Sequence, residues 1–230
     1  MDELMIEPEA DPNSVEDFAA HCAHDFNNLL TGILGNLELM ENRARRNGVT
    51  LFDGYLEGAR NAASRAAAFS QRLLAFSGRA TQAPVRLSLH TQIMEFADLQ
   101  RAQDIALNVE LAPQDAELFC DPAALETALA ELVGNAQEAT AAQGSITLRT
   151  ALAGRELVIA VQDTGCGMSE AVLALATTPF FSTRPNGAGK GLGLPIVLHF
   201  ARDAGGRLTL ESRPGSGTVA QLILPPAAAH

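Results

Sequence analysis

The chain has 230 residues, 47% of them apolar, which is enough for one large domain or two small ones with a buried core. Its formal net charge of −11 leaves no bulk basic surface for a phosphate backbone, so no nucleic-acid partner is expected. Cys22, Cys120 and Cys166 are far apart and odd in number, so neither a zinc site nor a disulfide framework is indicated. The acidic, proline-broken N-terminus is unlike a signal peptide and no apolar run is long enough to span a bilayer, which predicts a cytoplasmic protein without membrane insertion.

Residues 1–13 read as a flexible N-terminal segment. Ser14, followed by Glu16 and Asp17, is a plausible N-cap, and Phe18, Cys22, Phe26, Leu30, Ile33, Leu37 and Met40 then recur at alternating spacings of three and four. That pattern predicts a long amphipathic helix from about Ser14 to Arg45. Asn47-Gly48 supplies turn chemistry, Thr50 can cap a second helix, and Phe52, Tyr55, Ala59, Ala62, Ala66, Phe69, Leu73 and Phe76 mark its apolar stripe. The expected product over residues 14–78 is an antiparallel helical hairpin. Its broad apolar face asks for cover, and a homodimeric four-helix bundle provides it.

Within the first helix, His-Asp-Phe-Asn-Asn begins at His24. Residues four apart share a helix face, so Asn28 lies above His24 with Asp25 beside the imidazole. His24, Asn28, Thr31, Gly35 and Glu38 run opposite the apolar stripe, placing the histidine toward solvent beside small residues. A histidine on a helix is more often an ordinary surface or core residue than a catalytic one, and His21 is a local rival.

Ser77 to Pro84 mixes small, polar and breaker residues, so a linker is placed at 79–84 and a second domain at 85–230. There the pattern predicts helices near 90–101, 122–142 and 192–204, and strands near 105–111, 117–120, 145–150, 156–162, 207–212 and 218–224. The fold class is α+β, with the helical hairpin followed by an α/β sandwich whose helices cover one sheet face.

Four signals occur in order in this second domain: Asn135 within Glu-Leu-Val-Gly-Asn-Ala, Asp163-Thr-Gly-Cys-Gly-Met168, Gly187-Ala-Gly-Lys-Gly-Leu-Gly-Leu194, and Gly215-Ser-Gly-Thr218. None is a Walker loop, and the third does not follow a strand as a dinucleotide fingerprint would. Taken singly, Asn135 reads equally well as a residue satisfying a helix backbone, Asp163-Thr-Gly as a turn after a strand, and the Gly-rich stretches as ordinary loops.

In this order, downstream of a His-Asp-x-x-Asn helix, the constellation resembles the sensor histidine kinases of two-component systems from about Val15 to Pro225. The second domain looks like their GHKL-type ATP-binding domain, shared with gyrase and the Hsp90 chaperones. The resemblance implies that His24 is the phosphoacceptor, with Asp25 orienting its ring and Asn28 serving dephosphorylation. It further implies Mg²⁺ on Asn135 with Glu131 nearby, adenine on Asp163 with Gly165, Gly167 and Thr218, and a lid carrying Phe180. Gly187, Gly189, Lys190, Gly191, Leu192 and Gly193 would then hold the phosphates.

The implied activity is ATP-dependent autophosphorylation and transfer to an aspartate of a response regulator receiver domain, with phosphatase activity as well. The alternatives are a histidine phosphotransferase relay protein with a weakened ATP-binding domain, and a different ATPase or serine kinase of the same superfamily, of the anti-sigma type, with the hairpin serving only for dimerisation. Some positions depart from the common pattern: Gln137 and Glu138 stand where a basic residue is often found, Thr178 where an acidic one is usual, and Arg184 in place of lysine.

Overall fold

The computed structural model describes residues 12–46, 48, 53–77, 82–101, 106–141, 144–183 and 191–227, and within the first two helices the side chains of 26, 30–46, 54 and 56–76. The chain divides into two compact units, Met1–Arg79 and Ala80–His230.

The first unit is a helical hairpin of α1 (Pro12–Arg46) and α2 (Asp53–Phe76). Helix α1 begins two residues before the expected Ser14, a difference of the size that fraying ends produce. Arg43, Arg45 and Arg46 fill its last turn, where cations complement the helix dipole. Gly48 takes φ +66° in the turn, a conformation that favours glycine. Glu41 on α1 bonds both Arg45 and, across the hairpin at 3.1 Å, Arg60 on α2. The Arg45 guanidinium foremost, with Arg60, holds the Glu41 carboxyl below its ordinary range.

The apolar stripe of α1 divides into two faces. Leu30 is buried and Leu37 half-buried, whereas Phe26, Ile33 and Met40, spaced by sevens, are 56%, 49% and 59% exposed. On α2 the buried line runs Leu56, Ala63 and Ser70, while Ala59 and Ala62 of the expected stripe are exposed. Alanine is apolar enough to sit on either face, and the leucine one turn earlier decides which face turns inward. Phe52 and the Tyr55 side chain lie outside the described residues.

The second unit opens with β1 (Val85–Ser88), which pairs antiparallel with β3 (Glu117–Cys120) in a two-stranded sheet of its own. Helix α3 (Leu89–Arg101) follows β1 directly and buries Leu89, Ile93, Phe96 and Ala97. The main sheet has the order β2-β4-β5-β7-β6, from β2 (Asn108–Glu110), β4 (Ile146–Ala153), β5 (Glu156–Asp163), β7 (Thr218–Leu224) and β6 (Arg207–Ser212). Only the β2–β4 pair in this sheet is parallel.

Alternate residues of β4, β5 and β7 face inward. Leu148, Leu157, Ile159, Leu222 and Leu224 are fully buried against Leu125, Leu129 and Val133 of α4 (Pro122–Ala139) and Val197 of α6 (Gly193–Asp203). Each such Leu or Ile contributes about 1.5–3 kcal/mol relative to an exposed side chain.

Asp121 caps α4: its Oδ1 accepts N–H bonds from Ala123 at 2.8 Å and Ala124 at 3.3 Å, with Pro122 at the first helical position. Its Oδ2 also accepts the Gln82 N–H at 3.0 Å, tying the entering chain to the helix start. Helix α4 ends at Ala139, short of the expected 142, because Thr140 leaves the helical conformation and back-bonds Ala136 O. The strand expected at 105–111 is confined to 108–110, and that at 145–150 continues to Ala153 before turning through Gly154. The 168–187 connection contains a short helix α5 (Glu170–Leu175) capped by Ser169, which the sequence pattern does not predict.

Candidate functional site

Strand β5 carries Leu157, Ile159 and Val161 inward, so Asp163, next on that face, brings its carboxylate to the apolar side and is 6% exposed. A carboxylate so placed needs hydrogen bonds. Its Oδ1 accepts the Gly165 N–H at 2.7 Å. Gln162 pairs with Val219, so the next antiparallel step sets Asp163 opposite Thr218, on the side where Val161 and Ala220 are buried.

The loop after Asp163 is bolted to three elements by its backbone. Cys166 N–H donates to Ala139 O at the end of α4 at 3.0 Å, Gly215 N–H donates to Cys166 O at 2.7 Å, and Met168 N–H donates to Ser212 Oγ at 2.8 Å. These bonds require backbone to approach backbone closely. A Cβ at Gly165 would lie 2.4 Å from Ala139 O, and one at Gly167, where φ is +63°, 2.0 Å from Arg213 O. A Cβ at Gly217, where φ is +78°, would lie 2.0 Å from Asp163 O. Glycine is therefore required at these positions by sterics, whatever ligand the loop meets.

On α4 the core stripe is Leu125, Ala128, Leu129, Leu132, Val133 and Ala136, leaving Glu131 and Asn135 half-buried and one turn apart at its margin. The Ala139–Cys166 bond joins the end of this helix, one turn past Asn135, to the loop that carries Gly165 and Gly167 after Asp163. Both oxygen-bearing side chains of α4 there are hard donors of the kind a magnesium–phosphate complex uses. Among the described residues no three His, Cys, Asp or Glu side chains cluster as a metal cage.

Phe180 has φ +65°, an outlier for an aromatic residue worth of order 1–3 kcal/mol of strain. Its N–H donates to Gly191 O at 2.8 Å, and a Cβ at Gly191 would lie 2.4 Å from Phe180 C. The two ends of the 181–190 segment are thus clamped together. The Phe180 ring is 55% exposed and Phe181 half-buried. Leu192 is fully buried at the start of α6, Gly193 is its first residue, and no side chain caps this helix. With no side-chain cap among the described residues, this helix start suits an anion.

Gly187, Gly189, Lys190 and Arg184 lie outside the described residues, as do the side chains of His24, Asp25 and Asn28, whose backbone belongs to α1. Sequence reasoning passed over Ser212 and the Ala139 carbonyl. A serine ending a strand before Pro-Gly was the available signal for the first, and a backbone acceptor leaves none.

The family described as histidine kinase-, DNA gyrase B- and HSP90-like ATPase matches residues 120–228. The chain is 33% identical to the sensor kinase CckA of Brucella abortus over 92% of its own length and 24% of that protein's. To the C4-dicarboxylate transport sensor protein DctB of Pseudomonas aeruginosa it is 32% identical, over 75% of this chain and 29% of that one. The chain therefore spans about a quarter of the length of these curated relatives.

Among solved structures, full-length ShkA in complex with AMPPNP has a TM-score of 0.74 at 24% identity, covering 94% of this chain and 47% of that one, and carries the likeness of fold. The catalytic domain of histidine kinase ThkA matches at a TM-score of 0.55 and 25% identity, over 63% of this chain and 96% of that one. With this fold, this site and these relatives, the chain carries a histidine kinase-, gyrase- and HSP90-like ATPase domain over residues 120–228 and is similar along most of its length to two-component sensor kinases.

Proposed function

We propose that the chain is an ATP-dependent protein histidine kinase that phosphorylates His24 and passes the phosphoryl group to an aspartate of a response regulator receiver domain. The observation that carries this reading is the buried carboxylate of Asp163, held beside Gly165, Gly167, Gly217 and Thr218, in a chain that also bears His24-Asp25-Phe26-Asn27-Asn28.

Asp163 is an acceptor that suits the exocyclic amino group of adenine, and the glycines beside it let the base approach backbone. Asn135, with Glu131 through water, would hold Mg²⁺, which supplies charge neutralisation on the phosphates. Phosphate oxygens find donors at the uncapped start of α6 around Gly191, Leu192 and Gly193, with Gly187, Gly189 and Lys190 in the preceding loop. Phe180, strained and clamped to Gly191, sits where the lid begins.

Asp25 accepts the hydrogen of one imidazole nitrogen of His24, leaving the lone pair of the other for attack. The N–P bond forms as the bond from the γ-phosphorus to the β–γ bridging oxygen breaks, and ADP leaves with that electron pair. In the receiver step a carboxylate oxygen displaces the imidazole. Asn28, neutral at every pH, can orient a water for hydrolysis of the phosphoaspartate, which gives the phosphatase activity.

The uncovered row of Phe26, Ile33 and Met40 supports homodimerisation through the hairpin, since seven-residue spacing is the seam of a helix bundle. No helix among the described residues is long and apolar enough to cross a membrane, and we assign the chain to the cytoplasm, where ATP is supplied.

Incubation with Mg-ATP and radiolabelled γ-phosphate tests the kinase. An acid-labile, alkali-stable label is expected in wild type and in His21→Ala, and none in His24→Ala. Labelling that persists in His24→Ala overturns the phosphoacceptor. Absence of label in wild type that nonetheless accepts phosphate from a phosphorylated receiver would favour the relay protein.

A further inference from the structure

Ser212, the last residue of β6, stands at the centre of the turn that joins the nucleobase side of the site to β7. Its Oγ lies 2.8 Å from the Met168 nitrogen, 3.0 Å from Gly217 O and 2.9 Å from Thr218 Oγ1. A hydroxyl has one hydrogen and two lone pairs. The Met168 N–H can only donate and the Gly217 carbonyl can only accept, so the Ser212 hydrogen is committed to Gly217. The remaining lone pair of Ser212 must then take the hydrogen of Thr218. This is the one assignment that satisfies all three contacts, and it leaves Thr218 Oγ1 with lone pairs alone to offer any further partner.

Asp163, one step beyond the Gln162–Val219 pair and so on the side of Thr218, is likewise an acceptor. We propose that Ser212 is a positioning residue that fixes the polarity of Thr218, so that the pocket wall formed by β5 and β7 presents acceptors only and selects a purine with an amino group at position 6 over one with an oxo group. This rests on the reading of the site as an adenine nucleotide pocket. At position 6 an amino group donates to these acceptors, whereas an oxo group turns lone pairs toward lone pairs, and beside the buried Asp163 water relieves that mismatch poorly.

Removal of the Ser212 hydroxyl frees the Thr218 hydrogen to turn into the pocket, where it can meet an oxo group. The loss of two backbone partners at Met168 and Gly217 also loosens the turn, but loosening alone weakens all nucleotides alike. The ratio of affinities separates the two effects.

The experiment uses the full chain and displacement of a fluorescent adenine nucleotide by ATP and by inosine triphosphate, in wild type, Ser212→Ala, Ser212→Thr and Thr218→Val. Wild type is expected to prefer ATP, Ser212→Ala to lose about fivefold of that preference, and Ser212→Thr to retain it. Thr218→Val, which keeps the shape and removes the hydroxyl, is expected to lose preference as Ser212→Ala does, and it decides the matter should Ser212→Ala fail to fold. An unchanged ratio in Ser212→Ala or Thr218→Val, or equal loss in Ser212→Thr, overturns the role of Ser212 while leaving the adenine site intact. Failure of wild type to bind ATP at all overturns the adenine reading itself.

Discussion

Gly217 against Asp163, as tight as Gly167 against Arg213, makes a quantitative prediction. In Gly217→Ala the residue keeps φ near +78°, which costs an L-residue about 1–2 kcal/mol. Its Cβ also arrives 2.0 Å from Asp163 O, so β5 or the turn must move by more than an ångström, at about 1–3 kcal/mol more for overpacking. Gly215→Ala is the internal control. Its φ is +74°, but a Cβ there meets nothing within 4 Å, so only the conformational cost applies.

Gly217→Ala should therefore fall below Gly215→Ala by about 1–3 kcal/mol. For the unit Ala80–His230 that is roughly 2–12 °C of melting temperature. The assay is far-ultraviolet circular dichroism of the whole chain, following the transition that ATP shifts, since two compact units need not melt together. Because the displaced atom is the Asp163 carbonyl, Gly217→Ala should also weaken ATP binding about tenfold or more, with Gly215→Ala much closer to wild type. Equal melting temperatures and equal affinities in the two variants would refute the close approach of the turn to β5.

Asp121→Ala removes the α4 cap and the Gln82 tether together and should destabilise this unit by about 1–2 kcal/mol, with Asp121→Asn recovering part of the loss in the same melting assay. The Ser88 hydroxyl foremost, then the N–H groups of His90 and Ala116, holds the Asp115 carboxyl below its ordinary range. A depressed carboxyl stabilises the fold above its unfolded titration and loses that contribution as pH falls through the folded value, so the deficit of Asp115→Asn should be full at pH 7 and fade below about pH 4. Burial, with the neighbouring Asp121 charge adding, pushes the Cys120 thiol up to about 12, whereas Cys166 is exposed in the loop after Asp163. In Cys22→Ser at pH 8, an aromatic disulfide reagent should modify one thiol quickly and the second only on unfolding, with ATP slowing the first. Rapid modification of both would contradict the burial of Cys120.

What could be read in the sequence was periodic. Leu157, Ile159 and Val161 alternate, the α4 stripe repeats at helical spacing, and such elements are legible because many residues repeat one signal. Strand β1 was missed because four residues, two of them polar, carry too little alternation to stand out from a linker, and its partner β3 supplies the hydrogen bonds that make it a strand. Helix α5 has six residues and no buried side chain, so its evidence in the sequence is chiefly the Ser169 cap. The alanine face of α2 was misassigned because alanine is a strong helix former that does not say which side is covered.

At the site, Asp163 and the glycines were visible as types, but the reason for each glycine was not. Gly167 and Gly217 are fixed by Arg213 O and Asp163 O, backbone atoms that no sequence pattern records. Ser212 was invisible for a related reason, since its importance lies in three contacts to segments 168 and 217–218 rather than in any motif of its own.

The proposed kinase phosphorylates His24 with the ATP held beside Asp163. The most direct test is peptide mapping by mass spectrometry under alkaline conditions after incubation with Mg-ATP, in wild type and in Asp163→Asn. One phosphoryl group on the peptide containing His24, fragment ions assigning it to that residue, and its loss in Asp163→Asn are the predicted results. Phosphate on serine, threonine or His21, or undiminished phosphate on His24 in Asp163→Asn, would contradict the account.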